Sequence, residues 1–205
     1  MTTTYDDDIR AQGYSIVAGI DEVGLGALAG PLMACCIVLP PGLLLPGVDD
    51  SKKLSPRRRQ ELEVQIRGAA TGIGIGICTN SEIDSIGDMG KSVVLAMTRA
   101  LEGLELSPDI VLLDGTRGLP VGVPQRTIIR GDSISVSIAA ASIVAKVARD
   151  AIMVELEAHY PEYGFAIHKG YGTRAHMKAI SEHGPSPVHR LSFSLPPQKT
   201  QEQDY

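Results

Sequence analysis

Gly19-Ile20-Asp21-Glu22-Val23-Gly24-Leu25-Gly26 joins the end of an apolar strand to a glycine turn through two adjacent acids. Ile16 to Ile20 has almost no polar content and is too short for a helix, so it reads as a buried strand. Two carboxylates at the end of such a strand are costly to desolvate unless something cationic neutralises them. The turn after them carries no side chain at Gly24 or Gly26, so another backbone can approach it closely. An acid pair beside bare backbone points to a metal held against a polyanion.

Outward from this stretch, Leu32–Leu39 is a second short apolar run and pairs naturally with the first as a strand. Gly72-Ile73-Gly74-Ile75-Gly76-Ile77 alternates strictly, which predicts a third strand with one bare face lying under a close-packed helix. Ile110–Leu113, ending at Asp114-Gly115, and Thr127–Ile129, ending at Gly131-Asp132, supply a fourth and a fifth. Helices fall between and after them. Ser55 caps one with Pro56 at its first position, running to about Ala70. Ser81 caps a short one, and another covers about Lys91 to Leu104. The pattern is helical from Ser135 to His159, and Ile138 to Ala148 is apolar on nearly every side, which makes that helix central. A turn at Gly170–Gly172 leads into a last helix ending near His183. The expected architecture is α/β, a mixed five-stranded sheet flanked by helices. One domain over 15–195 is expected between a flexible N-terminal extension (1–14) and a flexible C-terminal tail (196–205), both polar.

At 205 residues the chain buries roughly 70% of its unfolded surface and needs no staples. Its net charge of −5 argues against indiscriminate nucleic-acid binding, although charge distribution matters more than the sum. Two stretches are locally basic: Lys52 to Arg59 has five Lys/Arg and no acid, and Ala166 to Thr200 has five against Glu182 alone. Cys35, Cys36 and Cys78 lack metal-type spacing and read as buried reduced thiols. With no apolar run of membrane-spanning length and no apolar signal core at the start, a soluble cytoplasmic protein is expected, and its size without an evident apolar surface stripe makes a monomer the expectation. His168, His176, His183 and His189 lack paired ligand spacing, so surface or capping roles are expected for them.

Asp21, Glu22, Asp114 and Asp132 each stand at or just beyond the C-terminal end of an apolar strand, where α/β sheets build their sites. Singly, Asp114 before Gly115 is a common turn dipeptide and Asp132 before Ser133 a helix cap. Converging, these oxygen donors without Cys or His suit Mg²⁺ or Mn²⁺ rather than zinc. Two such ions about 3.5–4 Å apart activate water and stabilise a leaving oxygen in phosphodiester hydrolysis. Gly24-x-Gly26 after a strand also fits a dinucleotide-binding turn, but a strand-like run follows it where that fold needs a helix N-terminus.

Seven segments, in order, carry a resemblance: Gly19–Gly24 with Leu28-Ala29-Gly30-Pro31, Asp50–Ser55, Leu113–Gly115, Gly131–Ser133, Ala139–Asp150, Lys169–Thr173 and His189–Phe193. Together they resemble the ribonuclease HII family, the type 2 ribonucleases H, from about residue 15 to 193. The resemblance implies an RNase H-like fold and hydrolysis of RNA within RNA–DNA hybrids, including incision 5′ of a single ribonucleotide in duplex DNA. It implies products with 5′-phosphate and 3′-hydroxyl ends. It places the metal-binding, catalytic acids at Asp21, Glu22, Asp114 and Asp132. The 2′-hydroxyl is the handle that separates RNA from DNA. The loop Gly24-Leu25-Gly26 is suitably placed to read it through main-chain groups, and the resemblance implies that Tyr171 packs against the sugar on the DNA side of the junction. Phosphate contacts are expected from Lys52, Lys53, Lys146, Lys169 and Arg190, with Ser142 inside the same motif as Lys146. Asp150, four residues after Lys146, reads as that lysine's helical partner.

The chain departs from the family pattern at Leu25, where the motif has arginine between the glycines, and more softly at Gly87–Gly90. A lost charged hydrogen bond is worth about 1.5–3 kcal/mol, or roughly 10- to 150-fold. The expectation is an active but weakened enzyme, or one in which a neighbouring cation replaces the contact. A non-catalytic hybrid-binding relative is the alternative.

Overall fold

In the computed structural model, which describes residues 4–48 and 54–198, the opening stretch lies on β1 (Val17–Val23), whose antiparallel neighbour is β2 (Leu32–Val38). β2 pairs in turn with β3 (Gly72–Cys78), again antiparallel. On its other side β1 pairs in parallel with β4 (Ile110–Asp114), and β4 in parallel with β5 (Gln125–Ile128). The result is the expected mixed five-stranded sheet, in the order β3-β2-β1-β4-β5. β5 begins at Gln125 rather than Thr127 because its ladder with β4 sets its length, from Val111 opposite Gln125 to Asp114 opposite Ile128.

The helices are α1 (Tyr5–Arg10), α2 (Pro56–Ala69), α3 (Asn80–Ile86), α4 (Met89–Glu102), α5 (Val136–His159), α6 (Phe165–His168) and α7 (Arg174–His183). β2 shows how the sheet divides its faces. Leu32, Ala34, Cys36 and Val38 pack with Ala96, Met97 and Ala100 of α4. Cys35 and Ile37 pack the other way, with Leu62 and Ile66 of α2 and Ile143 and Val144 of α5. The adjacent cysteines therefore occupy opposite core faces, both buried and free, and burial pushes the Cys36 thiol up to about 12. The bare face of β3 lies under α4, where a Cβ at Gly74 or Gly76 would stand 2.0 Å from Ala100 O or 1.9 Å from Ala96 O. The first half of α5 is buried from Ser137 to Ala145, as its all-round apolar pattern requires.

Three local expectations are corrected. The N-terminal segment is no loose extension. Thr4 and Asp7 form a capping box for α1, Ile9 is buried beside Val17, Leu112 and Ile138, and buried Asp6 accepts the Ser137 N–H at 3.0 Å. Its acidic composition hid this role, since Asp6 faces the N-terminus of α5. α3 is capped by Thr79, not Ser81, because Glu82 stands three residues after Thr79 and returns a hydrogen bond to its N–H at 2.9 Å. α4 starts at Met89, two residues before Lys91, with Asp88 as its cap; Gly87, in the left-handed region at φ +63°, makes the turn from α3. Of the expected tail, 199–205 lies outside the described residues. Among the described residues no helix is long and apolar enough to cross a membrane.

Candidate active site

Parallel pairing of β1 with β4 puts their C-terminal ends side by side. Ile20 is opposite Leu113, so Asp21 and Asp114 follow on neighbouring strands. Both paired apolar residues face the α4 layer, so the next position on each strand turns toward α5. Asp21, Glu22 and Asp114 line one cavity of about 310 Å³, together with Gly24, Leu25, Gly26, Ser142, Lys146 and Tyr171. Asp21 is 5% exposed and accepts the Glu22 N–H at 2.8 Å. Burial, then the charges of Glu22 and Asp114, raise its carboxyl well above the ordinary carboxylate range, against hydrogen bonds from Ser142 and the Glu22 N–H. The lining cation, Lys146, is committed to Asp150 at 2.7 Å, the helical partner expected for it.

Asp132 is placed differently. It is half-buried in the 3₁₀ turn Gly131–Ser133 and does not line this cavity. The turn is nevertheless tied to the site, since Gly131 N–H donates to Asp114 Oδ1 at 2.7 Å. Among the described residues no three His, Cys, Asp or Glu side chains form a ready-made metal cage. The acids therefore gather without the full convergence expected of four. Magnesium-like ions commonly take one or two carboxylates and complete their shell with water and substrate phosphate. A buried acid crowded by two others, all oxygen donors, fits a divalent cation of that kind.

The glycine turn is held from behind by two buried arginines. Gly24 has φ +93°, and a Cβ there would stand 2.4 Å from Arg149 Nε. Arg149 donates to the carbonyls of Pro31 (2.8 Å), Ala29 (3.0 Å) and Lys169 (2.9 Å). Residue pattern alone gives Arg149 no role; the signal is a guanidinium directly following the apolar Ile138–Ala148 stretch of α5. Arg190 donates through Nε to Gly30 O (3.0 Å) and through Nη1 to Leu25 O (3.3 Å), and burial draws it down to about 10. Its expected phosphate contact is thus corrected: Arg190 is fully buried and shapes the loop.

Tyr171 joins the same loop through an isolated bridge to Ala27, while Leu28 N–H donates to Gly170 O at 2.8 Å. Its ring centroid lies 5.4 Å from Lys146 Nζ and 5.3 Å from Arg149 Cζ. Lys169 points elsewhere. Its Nζ donates to Ala166 O, and it lines a separate cavity of about 410 Å³ with Pro56, Arg59 and Val154. Lys52 and Lys53 lie outside the described residues. The expected surface or capping histidines are also corrected: His168, His176 and His189 are buried together, because turns on either side of α7 fold back over Phe165.

Comparison with known proteins identifies the family and the fold. The family model for Ribonuclease HII matches residues 18–195. Ribonuclease HII of Geotalea daltonii is 50% identical over 190 residues, 93% of this chain and 88% of the relative. That of Geobacter sulfurreducens is 51% identical over 191 residues, covering 92% and 88%. Among solved structures, ribonuclease H2 from Pyrococcus horikoshii superposes with a TM-score of 0.74 at 25% identity, over 87% of this chain and 93% of that one. The ribonuclease HII of Archaeoglobus fulgidus, solved in complex with PCNA, does so with a TM-score of 0.74 at 25% identity, over 85% and 92%. The fold is RNase H-like, and the class is that of metal-dependent endoribonucleases acting on RNA–DNA hybrids. Within that class, the chain belongs to the ribonuclease HII family.

Proposed function

We propose that this protein cuts the RNA strand of RNA–DNA hybrids and incises duplex DNA 5′ of a single embedded ribonucleotide, using two Mg²⁺ or Mn²⁺ ions. The observation that carries the reading is the sharing of one cavity by Asp21, Glu22 and Asp114, the Gly24–Gly26 backbone and Tyr171. Acids for metal and groups for ribose thus stand within one substrate's reach.

Asp21, Glu22 and Asp114 would hold the ions, with Asp132 approaching on the turn tied to Asp114. The ions supply charge for a nucleophilic water and for the departing oxygen. The water oxygen bonds to phosphorus as the P–O3′ bond breaks, which leaves a 3′-hydroxyl and a 5′-phosphate. Asp21 is prevented from swinging by its Glu22 and Ser142 hydrogen bonds. The Gly24–Gly26 backbone, fixed by Arg149 and Arg190, reads the 2′-hydroxyl, and Tyr171 takes the adjoining sugar. Lys146, beside the Tyr171 ring and paired with Asp150, would present its remaining N–H groups to the phosphate. Such an activity serves ribonucleotide excision and RNA primer removal; reduced buried thiols and a single domain support a cytoplasmic monomer.

The surroundings of Leu25 support the weakened or compensated enzyme over a non-catalytic binder. Leu25 is 48% exposed and lines, with Glu22 and Asp114, a second cavity of about 330 Å³ that also holds Arg117. Arg117 lies within electrostatic reach of Asp88, the cap of α4, and its guanidinium lies over Gly90, where a Cβ would be 2.6 Å from Cζ. A neighbouring cation thus stands across from the missing arginine, in room left by the other unusual glycine. The test is nicking of a duplex containing one ribonucleotide, run separately with Mg²⁺ and with Mn²⁺. Metal-dependent product with 5′-phosphate and 3′-hydroxyl ends is expected; binding without product at high enzyme concentration would instead establish the binding module.

A further inference from the structure

The Tyr171 turn is unusual in its backbone. Lys169 and Gly170 are both in the left-handed region, at φ +54° and +80°, and a non-glycine residue there is uncommon. What holds the turn is a run of three buried histidines, absent from the proposed chemistry. His189 is 1% exposed, and its Nδ1 receives the Ser186 N–H at 2.9 Å. A backbone N–H only donates, so Nδ1 is bare and the ring proton of neutral His189 sits on Nε2. That Nε2–H faces His176 Nε2 at 3.0 Å, which must then accept. The His176 proton is therefore on Nδ1, where it donates to Tyr171 O at 3.0 Å. Both ends of the chain terminate on main-chain groups of fixed polarity, so a single proton arrangement satisfies it.

His168 repeats the device one residue earlier. Its Nδ1 receives Gly170 N–H at 3.2 Å and its Nε2–H donates to Tyr163 O at 2.7 Å. The His168 and His176 rings stack 19° from parallel with centroids 4.2 Å apart. Burial holds His176 and His189 down to about 4, so both are neutral near pH 7.

We infer that His189 and His176 form a proton-ordered relay that positions the Tyr171 turn against the ribose-reading loop, making both histidines positioning residues for substrate. This rests on the reading of Tyr171 as a substrate contact. An apolar core at the same place would fill the volume but leave the Ser186 N–H without its acceptor and the Tyr171 carbonyl held by the Thr173 N–H alone, at 2.7 Å.

Two experiments test it. Nitrogen-15 NMR of the wild-type protein at pH 7 should show His176 protonated on Nδ1 and His189 on Nε2; the opposite tautomers, or charged rings, would overturn the relay. The second experiment is a mutant cycle on nicking of the single-ribonucleotide duplex. His176→Leu should lower kcat/KM about ten-fold, the scale of a lost buried hydrogen bond. His176→Asn, which keeps an N–H near the position of Nδ1, should restore most of it. In a Tyr171→Ala background, His176→Leu should change the rate less than two-fold, because both act through one group. A folded His176→Leu protein with wild-type kinetics, or losses that multiply fully with Tyr171→Ala, would overturn the inference. If His176→Leu does not fold, His176→Asn and the tautomer measurement still decide. Tyr171→Ala with undiminished cleavage would refute the substrate role of Tyr171 itself, a failure separable from that of the relay.

Discussion

Substituting Asp21 by Asn should make the metal-free protein more stable while destroying its activity. Asp21 is 5% exposed, and burial together with Glu22 and Asp114 raises its carboxyl well above its ordinary value of 3.8. A group whose folded pKa exceeds its unfolded one contributes full stability below the unfolded value and loses it as pH rises toward the folded value. At pH 7 the penalty has a ceiling, because a carboxyl raised beyond the ambient pH takes up a proton instead. Each pH unit between 3.8 and 7 is worth about 1.36 kcal/mol, so the ceiling is about 4 kcal/mol. Asparagine removes this penalty and keeps an acceptor for the Glu22 N–H, now at 2.8 Å. Allowing half of the ceiling for poorer amide hydrogen bonding leaves a gain of about 2 kcal/mol, or about 4–8 °C in Tm for a chain of this size.

The assay is thermal unfolding at pH 7 in EDTA and again with millimolar Mg²⁺ or Mn²⁺. The Asn variant should melt higher in EDTA. The wild type should gain more from metal, since ligand bound to the native state alone stabilises it by mass action. Nicking should fall by more than the roughly 10- to 100-fold typical of losing an outer-shell partner. A variant in EDTA no more stable than the wild type would refute the reasoning, because it would mean that the protein already compensates the Asp21 charge without a cation.

Other outcomes follow from the same structure. Leu25→Arg should raise kcat/KM on the single-ribonucleotide duplex by about ten-fold, the lower end of a charged hydrogen bond; unchanged or lower activity would sink the idea that this position is weakened. Arg117→Ala should lower kcat/KM by a similar factor in the wild type and by less in the Leu25→Arg protein, and equal losses in both would show that Arg117 does not stand in for the missing arginine. His176 and His189 titrate near 4 in the folded state against 6.5 ordinarily, so the unfolded chain takes up their protons first. Stability should be complete above about pH 6.5 and fall toward pH 4 by up to about 1.36 kcal/mol per pH unit for each histidine; urea midpoints equal at pH 7 and pH 5 would contradict this. Gly76→Ala drives a Cβ to 1.9 Å from Ala96 O and should destabilise by about 3 kcal/mol in urea unfolding, with a neutral result showing that α4 shifts freely on β3.

How far the sequence reveals this protein depends on whether a property is local. Strands and their order along the chain are legible because short apolar runs and the alternating glycine face of β3 are written within a few residues. The Gly74 and Gly76 positions announced a helix above β3 before its partner was known. The acids were legible for the same reason, each ending a strand. What their positions along the chain do not state is register, and register decides convergence. Pairing of Ile20 with Leu113 brings Asp21 beside Asp114, whereas Asp132 rides a 3₁₀ turn whose direction is set by the Gly131 hydrogen bond to Asp114.

The misreadings share a cause. In sequence Arg190 points to phosphate because a cation near a polyanion site is usually exposed, and the histidines point to the surface because lone histidines usually lie there. Here Arg190, His168, His176 and His189 are core, while His183 is exposed at the end of α7 as expected. Arg190 meets main-chain carbonyls that the Gly24–Pro31 loop leaves without ladder partners, and the histidines meet the backbone of a turn with two left-handed residues. Buried irregular backbone demands donors and acceptors that secondary structure does not supply. A loop built to approach a ribose closely therefore recruits polar residues behind it, and those residues resemble ligand contacts in sequence while serving the loop. For an enzyme of this shape, a basic or imidazole side chain in a glycine-rich motif is as much evidence of a strained loop to be held as of a phosphate to be bound, and burial separates the two.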